Sequence, residues 1–154
     1  MICSLPTIES SYAFFTAKGI PSWEHPDNAA VVVTVAVLNA MESYLWRFIR
    51  GAGLAYGASI TSEPESQLIT FSLYRSPDSA KAFLEARKVI KALADGEMEL
   101  DETVVESAKS SLHFSVADSE STVGAAGGES FIDSVLKGTG KNRGRELLKE
   151  TTVS

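Results

Sequence analysis

The sequence predicts an α+β fold: a mainly antiparallel sheet with helices packed on one face, as one domain spanning residues 1–154. Three observations carry this. A strand-like N-terminal segment leads into a long apolar helical stretch. Two strand-like runs then flank the turn "SEPES" at residues 62–66, and everything after residue 76 reads as helix. Three strands are few beneath so much helix, so the sheet is expected to be incomplete or to borrow strands from a partner.

Each element has its own signal. "SYAFFTAKGI" (11–20) is an aromatic strand stopped by Gly19 and Pro21, and "SWEHPDN" (22–28) is a loop whose Pro26 suits a first helical turn. "VVVTVAV" alone would also suit a buried strand, because β-branched residues pack well on a pleat. No turn residue separates it from "LNAMESYLWRFIR", however. Ala29, Val33, Val37, Ala40, Met41, Tyr44, Leu45 and Phe48 fall on one helical stripe, which predicts one helix over 27–50 with a buried first half. "GLAYGASIT" and "QLITFSLYR" form a hairpin. For the next helix, Ser76 is the expected N-cap, Pro77 the first position and Gly96 the stop, with Phe83, Leu84, Ile90 and Leu93 as its apolar side. Another helix starts near Asp101 with Val104, Val105, Ala108 and Leu112 on one side. "SESTVGAAGG" is a loop or a tight helical bend, "ESFIDSVLKG" a short helix, "TGKNRG" a loop, and "RELLKETTVS" the start of a helix.

Bulk properties narrow the function. With 154 residues and 44% hydrophobic content, the chain can build one core without a second domain. A net charge of −6 argues against a general binder of nucleic acid or anionic membrane, since both favour a basic surface. Cys3 is the single cysteine, which excludes an internal disulfide and fits a reducing compartment. The run "AAVVVTVAVL" falls short of the roughly 20 residues of a membrane span. "MICSLPTIES" carries no export or mitochondrial signal, so the expected location is intracellular and cytoplasmic, or mitochondrial if the chain belongs to a longer precursor.

"LWRFIRGAGLAYGAS" (45–59) holds the candidate chemistry. Its glycines suggest a phosphate cradle, but a dinucleotide site needs a strand before the glycines and a helix after them. Here the order is reversed, and a helix C-terminus repels phosphate. The simpler reading makes Arg47 and Arg50 cations of the last helical turn, with Gly51 or Gly53 as a left-handed cap and Gly57 completing the turn. That leaves Tyr56, six residues after Arg50, unexplained.

"IRGAGLAYGAS", preceded by "ESYLW", resembles the segment opening the C-terminal half of zinc metallopeptidases of the pitrilysin and insulinase superfamily. "PSWEHPDNAAVVVTVAVLNAMESYLW" upstream and "LYRSPDSAKAF" downstream extend the likeness, which is nearest to the presequence-protease branch and its fungal relatives. The resemblance implies a metallopeptidase half-shell. In that family one half carries His-x-x-Glu-His on a helix and the other supplies an arginine and a tyrosine across the cavity. By this likeness Arg50 hydrogen-bonds a carbonyl of the peptide substrate, and Tyr56 donates to the oxyanion on the attacked carbonyl. Substrate adds as an extended strand elsewhere in the cavity. The chain itself carries two histidines, His25 and His113, and no His-x-x-Glu-His, so no metal site is expected in it. Zinc, and with it cleavage, is expected from a complementary half. The chain resembles an excerpt of such a C-terminal domain. The alternative is a catalytically inactive structural or interaction module that keeps the fold.

The remaining candidates have simpler readings. Glu24, Asp27 and Glu42 are read as solvated carboxylates, and Trp23 and Trp46 as packing residues, Trp46 with the option of lining a peptide cavity. Lys137, Lys141, Arg143 and Arg145 are read as a solvated loop rather than an anion site.

Overall fold

The computed structural model describes Cys3 and residues 7–153. Three strands, β1 (Ser11–Lys18), β2 (Gly57–Glu63) and β3 (Leu68–Ser76), form one sheet in the order β1-β3-β2. Cross-strand contacts fix an antiparallel register between β1 and β3. Thr16 meets Thr70 through their hydroxyls, Phe15 lies beside Phe71, and Tyr12 lies beside Tyr74. β2 and β3 make the expected hairpin. The helices are α1 (Asn28–Asn39), α2 (Ser79–Ala94), α3 (Glu102–Ser119), α4 (Val123–Phe131) and α5 (Arg143–Val153), with π-helical turns at Trp46–Arg50 and Ile132–Leu136. The fold class is the α+β class read from the sequence. Among the described residues no helix is long and apolar enough to cross a membrane.

The chain divides into two compact units. The first comprises residues 1–16, 38–61 and 70–100, and the second 17–37, 62–69 and 101–154.

In the first unit the sheet has two unlike faces. Phe15, Phe71 and Ile60 point to one side, where Phe83 of α2 stacks on Phe15 at 4.2 Å between centroids and lies 6.2 Å from Phe71. The buried stripe of α2 is Ala82, Ala86 and Val89, while Leu84 is exposed. Small alanines let the helix axis approach closely, which a reading based on large side chains overlooks. α2 also packs against the π-helical turn. Its N-cap is Asp78, whose carboxylate accepts from the Lys81 N–H at 3.0 Å, not Ser76. Ser76 closes β3 instead, fully buried, and its hydroxyl donates to the Leu54 carbonyl at 2.6 Å. Gly96, at φ +72°, lies just past the helix end as expected.

The predicted helix over 27–50 is two pieces. α1 stops at Asn39, and Glu42 adopts φ +61° in the break. At the break the Asn39 carboxamide engages the free edge of β2. Its Nδ2 donates to the Ile60 carbonyl at 2.7 Å and its Oδ1 accepts from the Ile60 N–H at 2.8 Å. An edge strand presents unpaired backbone groups, and Asn39 caps one pair of them as a neighbouring strand would. Met41, on the predicted stripe, is consequently 85% exposed. The first half of α1 is less buried than expected: Val31, Val32, Val33 and Val35 are half-buried. Pro26 lies ahead of α1 rather than in its first turn, since the Val31 N–H donates to Asp27.

In the second unit α3, capped by Asp101 accepting from the Thr103 N–H at 2.9 Å, packs against α4 and α5. "SESTVGAAGG" is mostly helix: Thr122 caps α4 by accepting from the Ala125 N–H. The basic loop is more structural than expected. Arg143 is 9% exposed, donates to both carboxylate oxygens of Glu150 and reaches the Trp23 carbonyl at 3.2 Å. Lys137 pairs with Asp133 at 2.8 Å and sits 4.7 Å over the Trp23 ring. Trp23 is thus a packing residue held by two cations.

Candidate functional site

The site is built around the π-helical turn. An α-helix bonds each N–H to the fourth residue back, whereas here the Gly51 N–H reaches the Trp46 carbonyl at 2.8 Å, and the Leu54 N–H reaches Ile49 at 2.9 Å. The extra residue per turn rotates the side chains beyond it. Ile49 becomes fully buried, Phe48 only half so, and Arg50 swings outward. A wider turn needs room, and a Cβ on Gly51 would lie 2.5 Å from the Arg47 carbonyl oxygen. Two residues on, Gly53 has φ +70°, the left-handed conformation that releases the chain toward β2, while Gly51 itself has φ −60°. Gly57 opens β2 opposite Tyr74, where an added Cβ would meet ordinary contact at 3.5 Å.

This turn brings Arg50 and Tyr56 together. The Arg50 guanidinium carbon lies 4.7 Å from the centroid of the Tyr56 ring and 5.9 Å from that of Trp46. Tyr56 is 59% exposed, and its hydroxyl has no hydrogen-bond partner among the described residues. A guanidinium on a ring face keeps its in-plane N–H groups available to a ligand.

Around this pair lies a cluster that sequence reasoning did not single out. The Tyr56 ring meets Tyr74 edge-on at 6.0 Å, and Tyr74 meets Tyr12 at 5.3 Å, so three tyrosines cross the outer face of the sheet from β2 to β1. Phe14 extends this face and is 74% exposed. Arg75 stands 5.4 Å over Tyr74. Strand alternation would send Arg75 to the core side with Phe71 and Leu73. Instead its backbone adopts φ +52°, left-handed for a non-glycine residue, and shifts the register by one. Tyr74 and Arg75 are therefore both exposed while Ser76 turns inward. The same bend aims the Arg75 carbonyl at the Tyr56 N–H, at 3.1 Å. The neighbouring Tyr12 side chain raises the Arg75 pKa above its ordinary value, with Tyr74 and Tyr56 adding to it. The sequence signal was available: in "TFSLYRS" a cation occupies an inward-facing parity, which calls for a bulge.

The other candidates do not converge. His25 accepts from the Asp27 N–H at 3.2 Å within its loop, and His113 Nε2 lies 3.4 Å from the Thr151 hydroxyl. Glu42 sits in the break after α1 and Cys3 is exposed. Among the described residues no group of three or more His, Cys, Asp or Glu could hold a metal, so the residues present do not fit zinc.

Known proteins resemble this chain in sequence and in fold. Residues 3–112 match the family described as the Peptidase M16 inactive domain. The uncharacterized protein C3H1.02c of Schizosaccharomyces pombe is 30% identical over 149 residues, which is 97% of this chain and 14% of that protein. The uncharacterized protein C05D11.1 of Caenorhabditis elegans is 33% identical over 125 residues, 81% of this chain and 12% of that protein. The chain thus spans about one seventh or less of these relatives' length. Among solved structures, a candidate zinc protease from Bordetella pertussis Tohama I superposes with a TM-score of 0.79 at 13% identity, covering 98% of this chain and 84% of that one. The inactive peptidase domain of a candidate zinc protease from Bordetella parapertussis gives 0.77 at 14% identity, covering 95% and 82%. At such identities the likeness is one of fold. The matched family model and the relatives together place the chain: it belongs to the peptidase M16 family as one of its inactive-type domains.

Proposed function

We propose that this chain, read as one partial M16 C-terminal-type domain over residues 1–154, is the metal-free half of a zinc metalloendopeptidase. In this reading Arg50 and Tyr56 are its contribution to a peptide site completed by a zinc-bearing half, in the same longer chain or in a separate subunit. The observation that carries the reading is the exposed Arg50–Tyr56 stack, with 4.7 Å from guanidinium carbon to ring centroid, at the end of a π-helical turn. Such turns concentrate at functional sites because they cost helix geometry. Arg50 would present its in-plane donors to a substrate carbonyl, orienting the peptide. Tyr56 would donate its hydroxyl where negative charge develops on the attacked carbonyl, a contact worth most in the transition state. Zinc and the activated water belong to the other half. Exposed Phe114, Val123 and Phe131 support a larger assembly around this chain, as does its small share of its relatives' length. The single cysteine supports a cytoplasmic setting.

A second reading, a structural or interaction module without catalysis, draws on the same exposed apolar side chains and the lack of fit to a metal. Reconstitution separates the two. The purified chain is mixed with a zinc-bearing half and a fluorogenic peptide. Our reading expects cleavage by the pair and none by this chain alone. A stable complex with no cleavage would favour the module.

A further inference from the structure

The outer face of the sheet carries two guanidiniums against one run of aromatic rings. Arg50 lies on Tyr56, Tyr56 meets Tyr74, and Arg75 lies on Tyr74, each step 6.0 Å or less. Neither arginine makes an ion pair among the described residues, although the chain carries 20 acidic side chains against 14 basic ones. Arg75 reaches this face only through its left-handed backbone, a conformation that glycine or asparagine would adopt with less strain. Strain retained at an exposed residue whose side chain fills no core space points to use of that side chain.

We propose that Arg75 is a specificity-determining residue that, together with Arg50, binds an aspartate or glutamate side chain of an extended peptide crossing this face. The inference rests on the peptide-binding reading given above. Charge complementarity selects the occupant: two unneutralised guanidiniums favour a carboxylate, and on a net acidic chain an acidic peptide finds little attraction elsewhere. The face also continues beyond both arginines, to Trp46 on one side and to Tyr12 and Phe14 on the other. A peptide lying along it therefore passes the pair rather than ending there, which favours a side-chain carboxylate over a terminal one. The 6.0 Å between the Tyr56 and Tyr74 rings is about two residues of extended chain.

The test is fluorescence anisotropy with the 154-residue chain and three labelled peptides of one sequence. The first carries a central Glu and an amidated C-terminus, the second Gln and an amide, the third Gln and a free carboxylate. Wild type should bind the Glu peptide roughly five-fold more tightly than the Gln amide. The preference should shrink at high salt. In Arg75→Asn, where asparagine tolerates the left-handed backbone, the preference should disappear, and in Arg75→Lys it should partly survive. Thermal melts of both variants report whether the fold is kept. Equal binding of the Glu and Gln amides by wild type would overturn the proposal and leave the peptide-binding reading standing. So would a preference unchanged in folded Arg75→Asn, or one shown only for the free C-terminus. Failure of all three peptides to bind would overturn the proposal, while cleavage by the reconstituted pair would still uphold the reading beneath it.

Discussion

Replacing Asn39 by alanine removes both hydrogen bonds that cap the open edge of β2, at 2.7 and 2.8 Å to the Ile60 carbonyl and N–H. Ile60 is itself 5% exposed, so water replaces those partners poorly at its backbone. Each buried group left unpaired costs about 1–3 kcal/mol. Asn39 lies on the exposed side, where some water can enter, so the low end applies to each bond. The expected loss is about 2 kcal/mol in total. In a domain of this size that lowers the melting midpoint by roughly 4–8 °C. Urea titration followed by tryptophan fluorescence measures it directly, with Trp46 close to the affected strand in sequence. Asn39→Asp adds a sharper comparison. It keeps an acceptor for the Ile60 N–H but sets a carboxylate against the Ile60 carbonyl, and should be no better than alanine. A loss below about 0.5 kcal/mol in Asn39→Ala would refute the claim that this carboxamide holds the strand edge.

The same geometry gives three further expected outcomes. Phe83→Ala empties the stack against Phe15 and Phe71 and should cost about 3 kcal/mol by denaturant titration, short of a full core truncation's upper range because Phe83 is only half-buried. Gly53→Ala should cost about 1 kcal/mol from its φ of +70°, whereas Gly51→Ala forces a Cβ within 2.5 Å of the Arg47 oxygen and should both destabilise more and weaken peptide binding by displacing Arg50. In the reconstituted pair, a zinc chelator should abolish cleavage while leaving the unfolding midpoint of this chain alone unchanged, since its described residues gather no metal-binding group.

The hairpin, the first strand, the helix from Asp101 and the Gly96 stop were legible because each rests on local signals: alternation, turn residues and caps. The features that escaped the sequence depend on contacts distant along the chain. Nothing local announces that Asn39 bonds Ile60, at the point where the long helix breaks. Likewise the periodicity of "SYLWRFIR" is helical, but the extra residue in the π-helical turn decides that Ile49 rather than Phe48 is buried. Ser76 looked like a cap because Pro77 comes after it, yet the strand's shift at Arg75 turned its hydroxyl inward to Leu54. The Arg50–Tyr56 spacing was readable, whereas the tyrosine run from Tyr56 to Tyr12 became visible only once the strand order β1-β3-β2 brought the two ends of the segment together.

The central claim is that Tyr56 serves the reaction and not the fold. Its hydroxyl is exposed and its ring contacts survive in phenylalanine, so Tyr56→Phe should leave the unfolding midpoint in place. The decisive measurement is kcat of Tyr56→Phe, in the pair formed with a zinc-bearing half, against wild type. A fall of about 10²–10³ with KM little changed is expected, as for loss of one oxyanion donor. Wild-type kcat in the folded variant would contradict it.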